Sequence, residues 1–282
     1  PASRSVHGID DGPHNPTFGK AEAGTAKMAE GNEADWAPHV GLPDLYIAMG
    51  QTAENVAEYK QVSREAQDEF AARSQNLSEQ SLDEGYWADE ITPITLPDGT
   101  VVKDDDGIRR GTTAEKLSGL QPVFRPGGTV TAGNACPLND GAAGVVVMSD
   151  TLAKELGLTP LARIVSSGVS GLNPEIMGLG PVEAIKQALG RANMSIDDID
   201  LVEINEAFAA QVLPAADELG IPMDKLNTRG GSIALGHPFG MTGARIMTTL
   251  IHNLQTADKT VGVESMCVGG GQGMAMVVER LS

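Results

Sequence analysis

Apolar and polar positions recur at helical spacing from about residue 44 to 85, where "DLYIAMGQTAENVAEYK" and "SREAQDEFAARSQNLSEQSLDEG" predict helices. Ser63 is placed to cap the second of them, with Glu65 in its first turn. In "ITPITLPDGTVVKDDDG" the pattern changes to β-branched residues around an Asp-Gly pair, which predicts a short hairpin. Residues 1 to 42 are rich in Gly, Pro, His and Asp without periodicity, and predict irregular structure. This front part reads as an α+β unit with exposed loops. Composition changes near residue 135, and after 140 apolar runs alternate with amphipathic ones. "AAGVVVMS" predicts a buried strand, "ARIVSSGVS" a second and "DIDLVEI" a third. "PVEAIKQALGRAN", "EAFAAQVLPAADELG" and "GARIMTTLIHNLQ" predict helices, and Ser195 and Asp198 have the spacing of a capping box. "TVGVESM" and "GMAMVVER" predict two adjacent strands. Strands alternating with helices imply an α/β fold, with helices packed over a central sheet.

Composition bounds this picture. A chain of 282 residues with 41% hydrophobic content can form one large domain or two smaller ones. It contains no run of 18 or more apolar residues, so no membrane span is expected. Thirty-eight Asp and Glu against twenty Lys and Arg give a formal charge of −18, which repels a phosphate backbone and argues against nucleic acid as a partner. A phosphorylated small ligand is still compatible, since a few placed arginines suffice. The two cysteines, Cys136 and Cys267, stand in contexts too dissimilar to suggest a designed pair, so a reducing compartment, the cytoplasm, is expected. The first residues carry no signal-peptide hydrophobic region and do not begin with Met, so the native N-terminus is expected upstream and gives no targeting information.

Three segments carry candidate chemistry. In "EINEAF", Asn205 follows an apolar strand and precedes a helix, where Asn is most often a cap or turn residue. In "NTRGGSIALGHPFGMTGAR", His237 lies in a glycine-rich loop before a helix, and the flanking Gly236 and Gly240 permit close approach of backbone and ligand. In "GVESMCVGGGQGMAMVVER", Cys267 precedes Gly269, Gly270 and Gly271, a stretch able to turn backbone N–H groups toward a ligand oxygen. A buried free Cys is commonly just a small hydrophobe. Cys, His, Asn and an N–H-rich loop together make a plausible acyl-transfer set.

"NEAFAAQ", "GGSIALGHPFGMTGAR" and "CVGGGQGMAMVVER" resemble, in order and spacing, the three C-terminal signatures of the thiolase family. "MGQTAENVAEYKQVSREAQDEFAARSQ", "GTVTAGNACPLNDGAAGVVVMS" and "ARIVSSGVSGLNPEIMGLGPVEAI" extend the similarity over residues 45 to 282. The resemblance implies acyl transfer between coenzyme A thioesters: thiolysis of a 3-ketoacyl-CoA, or the reverse Claisen condensation. It implies that His237 activates a nucleophilic thiol and helps bind the thioester oxygen, and that Asn205 holds a water at that oxyanion site. Cys267 would move the proton at the substrate α-carbon, and the N–H of Gly269 would form part of a second oxyanion hole. Ser166 matches a family position near the pantetheine arm and Met177 one lining the acyl pocket. With an ordinary thiol pKa of about 8.5, Cys267 would need only a modest downward shift to work near neutrality. No metal or redox cofactor is implied, and acyl-CoA and CoA would be the small-molecule partners of a homodimer or homotetramer.

The implied architecture is two similar βα halves in α-β-α-β-α layers, with a loop domain inserted in the first half. Residues 1–137 would be mainly that loop domain, 138–160 a remnant of the N-terminal half and 161–282 the C-terminal half. Thiolases carry their nucleophilic cysteine in the opening βα segments of the N-terminal half, which this sequence is expected to lack. Cys136 is not expected to replace it, since "TAGNACPLNDG" falls where the family commonly has a small residue. The 282 residues alone are therefore expected to be inactive. Two other assignments stay open at this point: a truncated, non-catalytic paralogue that binds acyl-CoA or a protein, and a ketoacyl-synthase-type condensing enzyme.

Overall fold

The computed structural model describes residues 14–31, 36–37 and 41–282. Part of the stretch expected to be irregular, residues 1–13, 32–35 and 38–40, lies outside the described residues. The remainder departs from expectation: a turn of 3-10 helix at Pro16–Phe18, capped by the Asn15 side chain on the Thr17 N–H, leads into α1, Gly19–Ala29. Its sequence "GKAEAGTAKMA" is dominated by Ala, Lys and Glu, which favour helix even without an apolar stripe, so periodicity gave no sign of it.

Helices α2 (Met49–Lys60) and α3 (Arg64–Asp83) form as expected, and the Ser63 hydroxyl accepts from the Ala66 N–H at 3.1 Å to cap α3. The predicted hairpin is short: β1 (Ile94–Thr95) pairs antiparallel with β2 (Val101–Val102) around Gly99, whose φ of +87° is the conformation glycine tolerates. A short α4 (Ala114–Ser118) packs on α3.

One expectation fails outright. The run predicted as a buried strand, "AAGVVVMS", forms no strand, and Val146 and Val147 are 85% and 70% exposed. The apolar run reports extended backbone correctly, but a strand needs a hydrogen-bonded neighbour, and none lies among the described residues.

From residue 150 the α/β alternation is realised. α5 (Asp150–Glu155) precedes β3 (Ala162–Gly171), α6 (Gly180–Ala192) and β4 (Leu201–Ile204). α7 (Ala209–Leu219), the single-turn α8 (Ser232–Leu235), α9 (Thr242–Thr256), β5 (Val261–Val268) and β6 (Gln272–Arg280) follow. The sheet order is β3-β6-β5-β4; β3 and β5 flank β6 antiparallel, and β4 runs parallel to β5.

Strand alternation sends Val202, Ile204, Val263, Ala275 and Val277 into one core with α6 and α7. Leu201, Met276 and Val278 face the opposite side, against Met247, Leu250 and Leu254 of α9. The sheet is thus covered by helices on both faces. Glu203 and Glu264, one residue out of phase with the first set, point to the α9 side.

The start of α6 sits directly on β6. A Cβ on Gly273 would overlap the Gly180 backbone, and one on Gly180 would overlap the Gln272 carbonyl, so only glycines let the two approach. Gly273→Ala should destabilise the protein by about 1–3 kcal/mol through overpacking, measured as a lower denaturation midpoint at unchanged m-value. An unchanged midpoint would show that the contact relaxes freely.

Candidate active site

Strands β4 and β5 are parallel, so their carboxyl ends open on the same edge of the sheet, the edge where α/β folds place ligands. Asn205 immediately follows β4 and its N–H still donates to the Ser265 carbonyl at 2.9 Å. Cys267 is the penultimate residue of β5. The chain then turns through Gly269–Gly271 into β6. Gly270 and Gly271 take φ values of +83° and +87°, and Gly271 lies so close to the Leu172 carbonyl that a side chain is excluded. The exposed Gly269 stands at the start of this hairpin turn, two residues after the thiol.

Asn205 is 1% exposed. Its Oδ1 accepts from the Ser232 hydroxyl at 2.5 Å, while its Nδ2 is buried without a hydrogen-bond partner. The next residue, Glu206, accepts from Ser74 Oγ at 2.5 Å, Asn227 Nδ2 at 2.8 Å and the Ile233 N–H at 3.2 Å. That carboxylate, which the sequence did not single out, fastens α8 to the end of β4. It thereby fixes the loop leading from α8 to His237.

His237 is buried, and its ring is held from one side. Its backbone N–H donates to Asn139 Oδ1 at 3.1 Å, and its Nδ1 lies 2.6 Å from Thr242 Oγ1. The Thr242 hydroxyl donates its hydrogen to the Pro238 carbonyl at 3.0 Å. It therefore accepts from His237, which places the ring proton on Nδ1 and the lone pair on Nε2. Burial, with the Arg245 cation adding to it, pushes the imidazole pKa down to about 4. At neutral pH His237 is an uncharged base.

Cys267 packs with Met177 and Ala207 in a small apolar cluster, with Met49, Phe208 and Cys136 against it. Burial pushes its thiol pKa up to about 12. This corrects the sequence expectation of a modest downward shift: the desolvated site disfavours the thiolate, and the resting group is a protonated thiol. The two cysteines, whose dissimilar sequence contexts did not suggest a designed pair, are nonetheless neighbours in space. Cys136 joins the same cluster, and burial followed by the nearby Cys267 raises its pKa to about 12. Its placement follows from how the 131–140 loop docks. Asn134 Nδ2 donates to Asp68 Oδ1 of α3 at 2.9 Å and its carbonyl accepts from the Ala209 N–H at 2.9 Å, while the Cys136 N–H donates to the Ala207 carbonyl at 3.0 Å. Both cysteines are free thiols.

Ser166 is not brought to this group. In the sheet register Cys267 is level, across Gly273, with Ser170 of β3, which leaves Ser166 four residues or about 13 Å further along the strand. Its hydroxyl donates to the Ala188 carbonyl of α6 at 2.7 Å. The residues that sequence reasoning missed are Asn139, Glu206, Ser232, Thr242 and Arg245. All but Glu206 lie within the quoted motifs "TAGNACPLND" and "GGSIALGHPFGMTGAR", and Glu206 directly follows Asn205.

Among the described residues, no group of three or more His, Cys, Asp or Glu is arranged to hold a metal ion. No described helix is long and apolar enough to cross a membrane.

Comparison with known proteins gives the family of the chain. The family model for the thiolase C-terminal domain matches residues 158–280, and that for the thiolase N-terminal domain matches residues 12–151. An acetyl-CoA acetyltransferase of Cupriavidus necator is 51% identical over 246 residues, covering 85% of this chain and 63% of its own length. The crystal structure of the Bacillus anthracis acetyl-CoA acetyltransferase superposes with a TM-score of 0.81 at 48% identity, covering 86% of this chain and 61% of that one. Human mitochondrial 3-ketoacyl-CoA thiolase, crystallised with CoA, superposes with a TM-score of 0.79 at 44% identity, covering 84% and 60%. The chain thus spans about three-fifths of the length of these relatives.

Proposed function

The chain belongs to the thiolase family, and we propose that it carries the acid/base and oxyanion-binding part of a coenzyme A-dependent acyltransferase. The observation that carries this proposal is the state of His237: neutral, with its Nδ1 proton committed to Thr242 and its Nε2 lone pair available to take a proton from a thiol.

In the thiolytic direction, a nucleophilic thiol supplied from outside residues 1–282 adds to the 3-keto carbon of the substrate as His237 Nε2 removes its proton. The bond between the α-carbon and the keto carbon then breaks. Its electron pair stays on the α-carbon of the departing acetyl-CoA as an enolate, which takes the Cys267 proton. A protonated thiol at rest suits this step, because an enolate is far more basic than a thiolate. A water on Asn205 together with His237 would meet the enolate oxygen, which is the substrate's thioester oxygen, and the Gly269 N–H the oxygen of the acyl group. A CoA thiol finally takes the acyl group from the enzyme. Condensation runs the same steps backward. Met177, packed beside Cys267, would form a wall of the acyl pocket. Ser166, displaced along β3 and with its hydroxyl on the Ala188 carbonyl, would lie toward the pantetheine arm and not at the reacting carbons. We infer a homodimer or homotetramer as the working assembly.

A series of 3-ketoacyl-CoA substrates of increasing chain length, assayed with an enzyme that joins this chain to the acyl-accepting cysteine, tests the proposal. Thiolysis of at least one member, with none of an unrelated ester, is expected. Turnover of the ester alone, with no activity on any CoA thioester, would overturn it.

A further inference from the structure

The amide of Asn205 is fixed by a relay that starts on a different helix. Arg245, in the first turn of α9, donates from Nη2 to Ser232 Oγ at 2.7 Å. Ser232, fully buried at the start of α8, is 2.5 Å from Asn205 Oδ1. A guanidinium has only donors, so the Ser232 oxygen accepts from Arg245, and its hydrogen goes to Asn205 Oδ1, the acceptor within reach. The amide oxygen is thereby assigned to the protein side. The amide nitrogen, buried without a partner, is the end left for a ligand or its water. Across the sheet face, Glu203 and Glu264 stand on the α9 side, where burial raises both carboxyl pKa values to about 8 and the Arg245 cation works against the rise.

Building on the reading of Asn205 as an oxyanion-site residue, we propose that Ser232 and Arg245 are positioning residues that hold its amide in the donor-facing orientation. With the relay intact, a flipped amide would turn its N–H groups toward Ser232 in place of its oxygen and deprive the serine hydrogen of the acceptor it has at Asn205 Oδ1. Removing the hydroxyl leaves Asn205 Oδ1 without a donor and makes both orientations accessible. Only one of them offers an N–H to the water on the developing oxyanion.

The test is a double-mutant cycle on the enzyme that joins this chain to the acyl-accepting cysteine, with kcat and KM measured for wild type, Asn205→Ala, Ser232→Ala and the double variant. Ser232→Ala removes one oxygen from a buried site and leaves Arg245 in place beside the two acids, which makes it a gentler probe than truncating the arginine. We expect it to lower kcat about tenfold with KM within about twofold, a part of the loss seen when an oxyanion donor is deleted outright. In the Asn205→Ala background the same change should have no further effect, because nothing remains to be positioned. Arg245→Lys, which keeps a cationic donor, should retain more activity than Arg245→Met. Ser232→Ala with wild-type kcat beside an impaired Asn205→Ala overturns the positioning role alone. Equal losses from Ser232→Ala in both backgrounds overturn it as well, by showing a general packing effect. A wild-type kcat in Asn205→Ala overturns the reading of Asn205 itself, and the relay with it.

Discussion

His237→Ala, made in an enzyme that joins this chain to the acyl-accepting cysteine, should slow formation of the acyl-enzyme by about 10²–10⁴-fold, the usual weight of a positioned general base. Several features make the loss large. The side chain is buried, its Nδ1 is engaged by Thr242, and the hydroxyl that engages it is itself anchored on Pro238, so no other orientation is on offer. The pH profile sharpens the test. Burial and the Arg245 cation lower the imidazole pKa to about 4, so the ring remains unprotonated as pH falls through the ordinary histidine range. Acylation in the wild type should therefore keep its rate from pH 7 down to pH 5.5, with no inflection near 6.5. A stopped-flow acylation burst of normal rate in the alanine variant would remove His237 from the role. A wild-type inflection at 6.5 would mean that the ring is hydrated in the working enzyme.

How far the sequence revealed this arrangement can be judged residue by residue. The strands and helices after residue 160 were legible because each is one face of a layered core: period-2 runs at Val263 and Val277, and helical spacing through Ile246, Leu250 and Leu254. His237, Asn205 and Cys267 were legible because each sits where an apolar run meets glycine or a helix start. Ser166 was carried over by motif alignment alone, and a strand position says nothing about level in the sheet. Only the pairing of β3 with β6 reveals that it is displaced from Cys267. Cys136 was set aside because its motif falls where the family commonly has a small residue, yet the loop that carries it is tied to Ala207 and Ala209 at the start of α7. Such a contact joins residues about 70 apart, and no local pattern encodes it. α1 was missed for the opposite reason: its helicity is local propensity without an apolar face, and none of its residues is buried. The thiol pKa was misjudged because burial of Cys267 depends on Met177, ninety residues earlier, closing over it.

That burial shapes the second large effect, the loss of α-proton chemistry in Cys267→Ala. The substitution removes one sulfur from a site that is 5% exposed and should cost about 1 kcal/mol of stability, leaving the fold and His237 in place. Acyl transfer from an acyl-CoA onto the nucleophilic cysteine should persist, since that step depends on His237. Exchange of the α-protons of acetyl-CoA with solvent should fall by about 10²–10⁴-fold, and condensation with it. The wild-type rate should also carry the signature of a buried thiol. With its pKa raised to about 12, Cys267 is protonated across the neutral range, and the basic thiolate grows about tenfold for each unit of pH below that value. Exchange followed by mass spectrometry in heavy water should accordingly climb steeply from pH 7 to pH 9 without levelling off. A Cys267 that only fills space would give the reverse pattern: a lower melting temperature, wild-type exchange in the alanine variant, and no such climb. Wild-type exchange rates in Cys267→Ala would assign the α-proton to another group, and Cys136, packed against the same cluster, would be the first to replace.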